Sequence, residues 1–355
     1  MSSRDLDEDD VRVRPGRGKS RPRSKERPSH NDAGHGFVVA VDRGRFTIVL
    51  GEPADPGIEI YAVKAREVGR KGVVVGDRVA IVGDLSGKPD TLARVVRVET
   101  RTTTLRRSAD DGDPIERVVV ANADQLVIVT SLINPEPRPR LIDRCLVAAY
   151  DAGLSPLLVL TKADLISPDG LLALYGALDV PYVVTSRDPH HELNLADLDS
   201  HLVDRMSVMI GHSGVGKSTL VNALVPDAQR ATGRVNDVTG RGRHTSTSAV
   251  ALELPAGGWV IDTPGVRSFG LGHVDPARVI NAFDDLASGT DACPRSCSHD
   301  EVECGLDAWV AASDNPQAGA ARLESFRRLL QSRTEDPLAG SDQVGGSADS
   351  LDADN

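Results

Sequence analysis

Gly211-His212-Ser213-Gly214-Val215-Gly216-Lys217-Ser218 fills the pattern G-x-x-x-x-G-K-[ST]. An apolar run, residues 206–210, precedes it, and Thr219-Leu-Val-Asn-Ala-Leu-Val225 follows it and reads as a helix. Strand, glycine-rich loop and helix in that order make this a phosphate-binding loop, the signature of an α/β nucleotide-binding fold. The glycines let backbone N–H groups wrap phosphate oxygens, and the N-terminus of the following helix favours negative charge. Lys217 is expected to reach the β- and γ-phosphates, and the Ser218 hydroxyl to bind Mg²⁺ beside Thr219. The alternative, a glycine-rich turn between strand and helix, leaves the companions of the loop unexplained.

Those companions stand on both sides. Downstream, Trp259-Val-Ile-Asp262-Thr-Pro-Gly265 is an apolar strand ending in Asp-x-x-Gly. The carboxylate of Asp262 is expected to hold Mg²⁺ through water. The Gly265 N–H would sense the γ-phosphate, so the segment after it would switch on hydrolysis. Between the two lies Thr239-Gly-Arg-Gly-Arg-His-Thr-Ser-Thr247. It offers Thr245, with Thr247 in reserve, to complete the Mg²⁺ shell. Upstream, residues 157–160 form an apolar strand that runs into Thr161-Lys162-Ala163-Asp164. The Asp164 carboxylate can accept hydrogen bonds from guanine N1–H and N2–H₂, which adenine does not present, and the Lys162 stem can cover base or ribose. The competing role for Asp164 is a helix N-cap. Thr185 and Ser186, at the end of residues 181–186, resemble the further loop whose backbone contacts the guanine oxygen. The base reader therefore precedes the phosphate loop, the reverse of the ordinary order, and the domain reads as circularly permuted. Val266 occupies the position where a water-orienting Gln is common. Valine cannot position water, so slow intrinsic hydrolysis and a stimulating partner are expected. His244 is the candidate to orient that water, and a solvent-exposed loop histidine is the alternative.

Around this centre the 355 residues divide by pattern. Residues 1–35 are charged and Pro/Gly/Ser-rich, and residues 335–355 acidic; both are expected to be disordered. The basic stretch 12–27 could act as an RNA-binding arm or as a solvating tail. From 36 to 100, five short β-rich runs (36–41, 45–50, 59–63, 76–82, 93–98) suit a small closed barrel, with an OB-fold the natural candidate. Arg43, Arg45, Lys64, Arg66, Arg70 and Lys71 offer it a basic face. From 101 to 273, apolar runs alternate with helical patterns at 140–152, near Leu171 and after the phosphate loop, the rhythm of a mostly parallel, doubly wound sheet. Residues 274–334 hold an amphipathic helix at 317–330.

The composition is 40% hydrophobic and only 3% aromatic, with a formal net charge of −11. Base stacking on exposed rings and uniform attraction to nucleic acid are thus poor fits, though local basic patches remain. No run approaches the roughly 20 apolar residues of a membrane span, so a soluble cytoplasmic protein with no membrane partner is expected. Cys145 sits alone in a helical pattern, as a small core residue would. Cys293-x₃-Cys297-x-His299-x₄-Cys304 supplies three thiolates and an imidazole, a full set for one structural tetrahedral Zn²⁺.

Taken in order, barrel, base reader, phosphate loop, Asp-Thr-Pro-Gly and Cys/His cluster, residues 36–333 resemble the ribosome small subunit-dependent GTPase A family (RsgA, also called YjeQ). The phrases Ala121-Asn-Ala-Asp-Gln125, Gly240-Arg-Gly-Arg-His-Thr245 and Asp262-Thr-Pro-Gly-Val-Arg267 are similar to the family's own. The resemblance implies an N-terminal OB-fold, a permuted GTPase domain and a mainly helical zinc-binding domain. It further implies turnover of GTP to GDP, stimulated by the small (30S) ribosomal subunit during late maturation, and contacts with 16S rRNA. A monomer is expected. Thr161 stands where the family usually carries Asn, and the cysteine spacing is about a residue shorter than usual. Two other readings stay open: a GTP-dependent signalling switch with a protein partner, and a nucleotide-gated RNA-binding clamp.

Overall fold

The computed structural model describes residues 30–69, 72–108, 116–190, 192–226, 249–263, 271 and 274–333. His244, Thr245, Thr247, Gly265, Val266, Arg70, Lys71 and nearly all of both charged termini lie outside the described residues.

The five N-terminal runs are strands: β1 (Gly34–Asp42), β2 (Arg45–Glu52), β3 (Asp55–Lys64), β4 (Arg78–Val82) and β5 (Ala93–Val98). β1–β2, β2–β3 and β4–β5 pair antiparallel and β3–β5 parallel, while β1 also pairs with β4. The order 1-2-3-5-4-1 closes a barrel, as expected. Its interior is filled by the inward residues of each strand, among them Val38, Phe46, Ile48, Ile60, Val79, Ile81 and Val95.

A hairpin that the sequence reading did not anticipate follows, β6 (Thr104–Ser108) with β7 (Glu116–Ala121). Next come β8 (Gln125–Ser131), α1 (Pro139–Ala152), β9 (Ser155–Thr161), α2 (Asp169–Tyr175), β10 (Tyr182–Val184), α3 (Ala196–Leu202), β11 (Met206–Gly211), α4 (Lys217–Leu224), β12 (Val250–Glu253) and β13 (Trp259–Asp262). Strands β10-β9-β8-β11-β13 are parallel neighbours, and β12 adds antiparallel to β13. β8 is buried along its whole length because both faces of the sheet are covered. β12 also pairs with β1 at Ala40↔Val250, so barrel and α/β sheet form one sheet of eleven strands.

The Ala121–Gln125 phrase proves to be a structural joint. Asn122, held at φ 54°, accepts the Thr102 N–H and donates to the Gly76 carbonyl, tying hairpin to barrel. Asp124 accepts the Met206 N–H, and Gln125 donates to Ser207 Oγ, so the same five residues also align β8 with β11. Nearby, fully buried Asp77 takes a two-pronged ion pair from Arg101.

The C-terminal part comprises α5 (Pro276–Ile280), α6 (Asp284–Ala287), α7 (Gly305–Ala311) and α8 (Pro316–Gln331). Asn315 caps α8 by accepting the Ala318 N–H, and Pro316 suits its first turn. Leu323, Phe326, Leu329 and Leu330 form its buried stripe. α8 grips the α/β part: Arg328 pairs with buried Asp143 of α1 at 3.2 Å, and Arg144 donates to the Ser332 carbonyl. Burial pushes the Asp143 carboxyl above its usual range, with Arg328 opposing the shift.

Candidate functional site

The phosphate loop leaves β11 at the carboxyl end of the parallel sheet, between β8 and β13. A Cβ at Gly211 would sit 2.6 Å from the Val129 carbonyl, so only glycine allows the strand this close. Gly216, at φ 98°, turns the chain into α4. Val215 is buried and anchors the loop, whereas Ser213, Gly214, Ser218 and Thr219 are exposed and His212, Gly216 and Lys217 half-buried. His212 Nδ1 lies 3.1 Å from the Ser213 carbonyl.

The base-reader candidate meets this loop directly. β8 and β9 are parallel neighbours, so Thr161 emerges beside the loop. Its hydroxyl donates to the Val215 carbonyl at 2.6 Å. Lys162 (φ 64°) donates through Nζ to the Gly214 carbonyl at 3.2 Å and, more closely, to the Asn134 carbonyl. Asp164 does not cap a helix, since α2 starts only at Asp169; its Oδ1 accepts the Arg187 N–H at 3.1 Å. That bond draws the loop after β10 towards the reader. Thr185 is fully buried, its N–H donating to the Leu160 carbonyl and its own carbonyl accepting the Ala163 N–H, while the next residue, Ser186, is half-buried.

On the other side of the loop, Lys217 Nζ forms an ion pair with Asp262 at the end of β13. Both side chains are partly buried, and the pair joins opposite charges 45 residues apart in sequence. Thr263 is buried and donates to the Met209 carbonyl at 2.8 Å, which fixes where β13 ends. The structure thus brings together Thr161, Lys162, Lys217 and Asp262 around one loop, with Asp164 two residues beyond Lys162 and bonded to Arg187. Thr245, His244 and Gly265 lie outside the described residues. The sequence offered no signal for Asn134, whose carbonyl receives Lys162 only because the turn after β8 folds over β9.

The second cluster lies in the C-terminal part. The candidate donor atoms of Cys293, Cys297, His299 and Cys304 all lie within 4.8 Å of one another. Cys293 Sγ is 3.7 Å from His299 Nδ1 and 3.9 Å from Cys304 Sγ. A tetrahedron with metal–sulfur bonds near 2.3 Å has edges of roughly 3.8 Å, so the donor set fits a four-coordinate ion. Burial lowers the affinity of His299 for a proton and pushes the Cys297 thiol up to about 12. Arg327 donates to the His299 carbonyl and makes a two-pronged ion pair with Asp307 of α7, which holds the cluster against α8. Cys145, by contrast, is buried in the core with its thiol also pushed up to about 12 by burial, as befits a packing residue.

Comparison with known proteins agrees with this geometry. The model of the RsgA GTPase family matches residues 98–272. A small ribosomal subunit biogenesis GTPase RsgA of Pseudomonas syringae pv. syringae is 39% identical over 272 residues, covering 74% of this chain and 76% of that protein. Its counterpart in Pseudomonas syringae pv. tomato is 37% identical over 297 residues, covering 79% and 83%. The crystal structure of YjeQ from Thermotoga maritima superposes with a TM-score of 0.60 at 27% identity, covering 84% of this chain and 98% of that one. YloQ, described as a circularly permuted GTPase, matches in fold with a TM-score of 0.59 at 22% identity, over 88% and 99%. Two-fifths identity across three-quarters of both sequences, on a fold whose base-reader candidate precedes its phosphate loop, leaves one assignment: this chain is a circularly permuted GTPase and belongs to the RsgA GTPase family.

Proposed function

We propose that this chain hydrolyses GTP during late maturation of the small (30S) ribosomal subunit, in the cytoplasm, as a monomer whose turnover the subunit stimulates. The observation that carries the reading is the bonding of Thr161 and Lys162 to the Val215 and Gly214 carbonyls. A base reader and a phosphate loop that come in reversed order along the chain are thereby bonded side by side, as one nucleotide site requires.

Within it, the backbone of residues 211–216 wraps the phosphates, and Lys217 exchanges Asp262 for the β- and γ-phosphates. With Lys217 on phosphate, the Asp262 carboxylate would be free to hold Mg²⁺ together with Ser218 and Thr245, and the ion would supply positive charge beside the phosphates. Asp164 keeps one oxygen on Arg187 N–H and turns the other to the guanine edge. Because both backbone groups of Thr185 are engaged, contact with the guanine oxygen falls to Ser186. Gly265 senses the γ-phosphate and His244 orients the attacking water, since Val266 cannot. The Cys293, Cys297, His299 and Cys304 set would hold one Zn²⁺ and so tie together the segment between α6 and α7.

The finer partner is 16S rRNA. Arg45, Val63 and Arg94 form one row across β2, β3 and β5, with both arginines exposed beside Arg43, Lys64 and Arg66. Such a row can neutralise backbone phosphates despite the acidic total charge. The test is GTP turnover of the purified protein with and without isolated small subunits. A rise of at least about tenfold, a barrier change of roughly 1.4 kcal/mol, is expected. Co-sedimentation without any rise would point to the clamp reading, and neither to a protein-partner switch.

A further inference from the structure

Among the described residues, the barrel joins the α/β sheet by strand pairing at one place, the strand pair leading into Asp262. Ala40 of β1 is opposite Val250 of β12, and Val250 is opposite Asp262 of β13. At about 4.8 Å per strand, a barrel residue sits roughly 10 Å from Asp262 through two hydrogen-bonded steps. β1 can serve both sheets because its register shifts between Val38 and Ala40. Residues 34–37 close the barrel against β4, and Ala40 reaches β12.

A second attachment lies three residues before Asp262. Trp259 is 4% exposed, and its indole N–H donates at 3.0 Å to the carbonyl of Pro53, in the turn between β2 and β3. Its ring meets that of Phe37 on β1 edge-on, with centroids 4.9 Å apart. Trp259 and Asp262 lie on a strand of only four residues, too short to bend between them. The C-terminal part grips elsewhere, through Arg328 on Asp143 of α1 and Arg322 on the Ala177 carbonyl and Asp179 beyond α2.

We propose that Trp259 is a positioning residue for the GTPase reaction: clamped between Phe37 and the Pro53 carbonyl, it makes the barrel and Asp262 move as one body. When Lys217 leaves Asp262 for phosphate, the displacement of β13 is carried into the barrel, and a load on the barrel is carried back to the metal side of the nucleotide. The inference rests on the assignment of Asp262 to the metal side of the site.

The chain has only two tryptophans, Trp259 and Trp309. Trp309 lies on α7 and donates to the Asp285 carbonyl, far in the chain from either attachment. A Trp309→Phe variant therefore leaves Trp259 as the only indole emitter. Its emission and acrylamide quenching would be recorded with GDP and with a non-hydrolysable GTP analogue, both with Mg²⁺. A fluorescent GDP derivative would report nucleotide binding separately. The expected result is a reproducible difference in Trp259 emission between the two nucleotide forms. A Trp259→Phe variant, which keeps an aromatic ring against Phe37 but loses the bond to Pro53, should raise the Mg²⁺ concentration for half-maximal turnover about fivefold, with the KM for GTP at saturating Mg²⁺ unchanged. Nucleotide binding with identical Trp259 emission in both forms would overturn the coupling and leave the site assignment standing. Absence of nucleotide binding would remove the assignment, and the coupling with it.

Discussion

The hydroxyl of Thr161 donates to the carbonyl of Val215 at 2.6 Å across 54 residues of sequence. Read as a substituted base reader, Thr161 is a weakened motif; in the fold it is a bracket, 5% exposed, that holds the phosphate loop to the strand carrying Lys162 and Asp164. Thr161→Val would leave that carbonyl without its partner at a cost of about 1–3 kcal/mol. Titration calorimetry with GDP should show affinity falling roughly tenfold or more, at 1.4 kcal/mol per decade. Thr161→Ser should restore it, and the preference for guanine over other bases should not change. Equal affinities for the Val and Ser variants would remove the bracket.

Asp164→Asn keeps an oxygen for the Arg187 N–H, so the loop after β10 should stay in place. The new amide presents a donor where guanine also presents one. The variant should therefore lose GTP affinity and gain affinity for xanthosine triphosphate, measured by competition against a fluorescent nucleotide. Unchanged GTP affinity would end the base-reader assignment.

Lys217→Ala should abolish GTP turnover while leaving the melting temperature nearly unchanged. Its ion pair with Asp262 is partly solvent-exposed, at 13% and 25%, and such pairs contribute at most about 1 kcal/mol. Stopped turnover with an unchanged melting curve would separate chemistry from folding; a collapse of the melting curve would mean that the pair is structural.

Elemental analysis of freshly purified, unchelated protein should find about one zinc per chain. Cys304→Ser removes a buried donor next to α7 and should lower the zinc content and loosen α8. Limited proteolysis after residue 274 would report the loosening, and treatment with a strong chelator should reproduce it. Full zinc content in the Cys304→Ser protein would exclude Cys304 as a ligand.

Asn122 combines three side-chain bonds with a positive φ. Asn122→Gly should lose the bonds but relax the backbone. Asn122→Ala should lose them and add about 1–2 kcal/mol of left-handed strain. Urea denaturation should rank wild type above Gly and Gly above Ala. A Gly variant no more stable than the Ala variant would show that the conformation at 122 is not what the joint requires.

Much of this protein was legible one segment at a time. Short β-rich runs separated by turn residues marked the five barrel strands, and continuous apolar runs marked β8, β9 and β11, because the residues that suit a strand or its burial cluster along the segment that forms it. The buried stripe of α8 showed in the spacing of Leu323, Phe326 and Leu330. Several elements escaped, among them the β6–β7 hairpin, more than half of whose residues are Thr, Arg, Ser or Glu, the short helices α5, α6 and α7, and α3, which buries only Leu198 and Leu202. Their stability comes from what they pack against, and that leaves little trace in local pattern.

The chemistry proposed for the site was likewise read locally. Lys217 and Ser218 follow a glycine-rich loop, Asp262 ends a strand, and three cysteines flank a histidine, the groups and spacings that nucleotide and metal binding call for. Which edges meet was a different matter. Periodicity says which way a side chain faces but not which strand arrives opposite. That Thr161 reaches Val215, that Trp259 donates to Pro53 and that Ala40 aligns with Val250 and Asp262 therefore follow from sheet register and from the burial of groups far apart in the chain. The residues named the nucleotide; long-range packing settled how its two halves, and the barrel beside them, are held together.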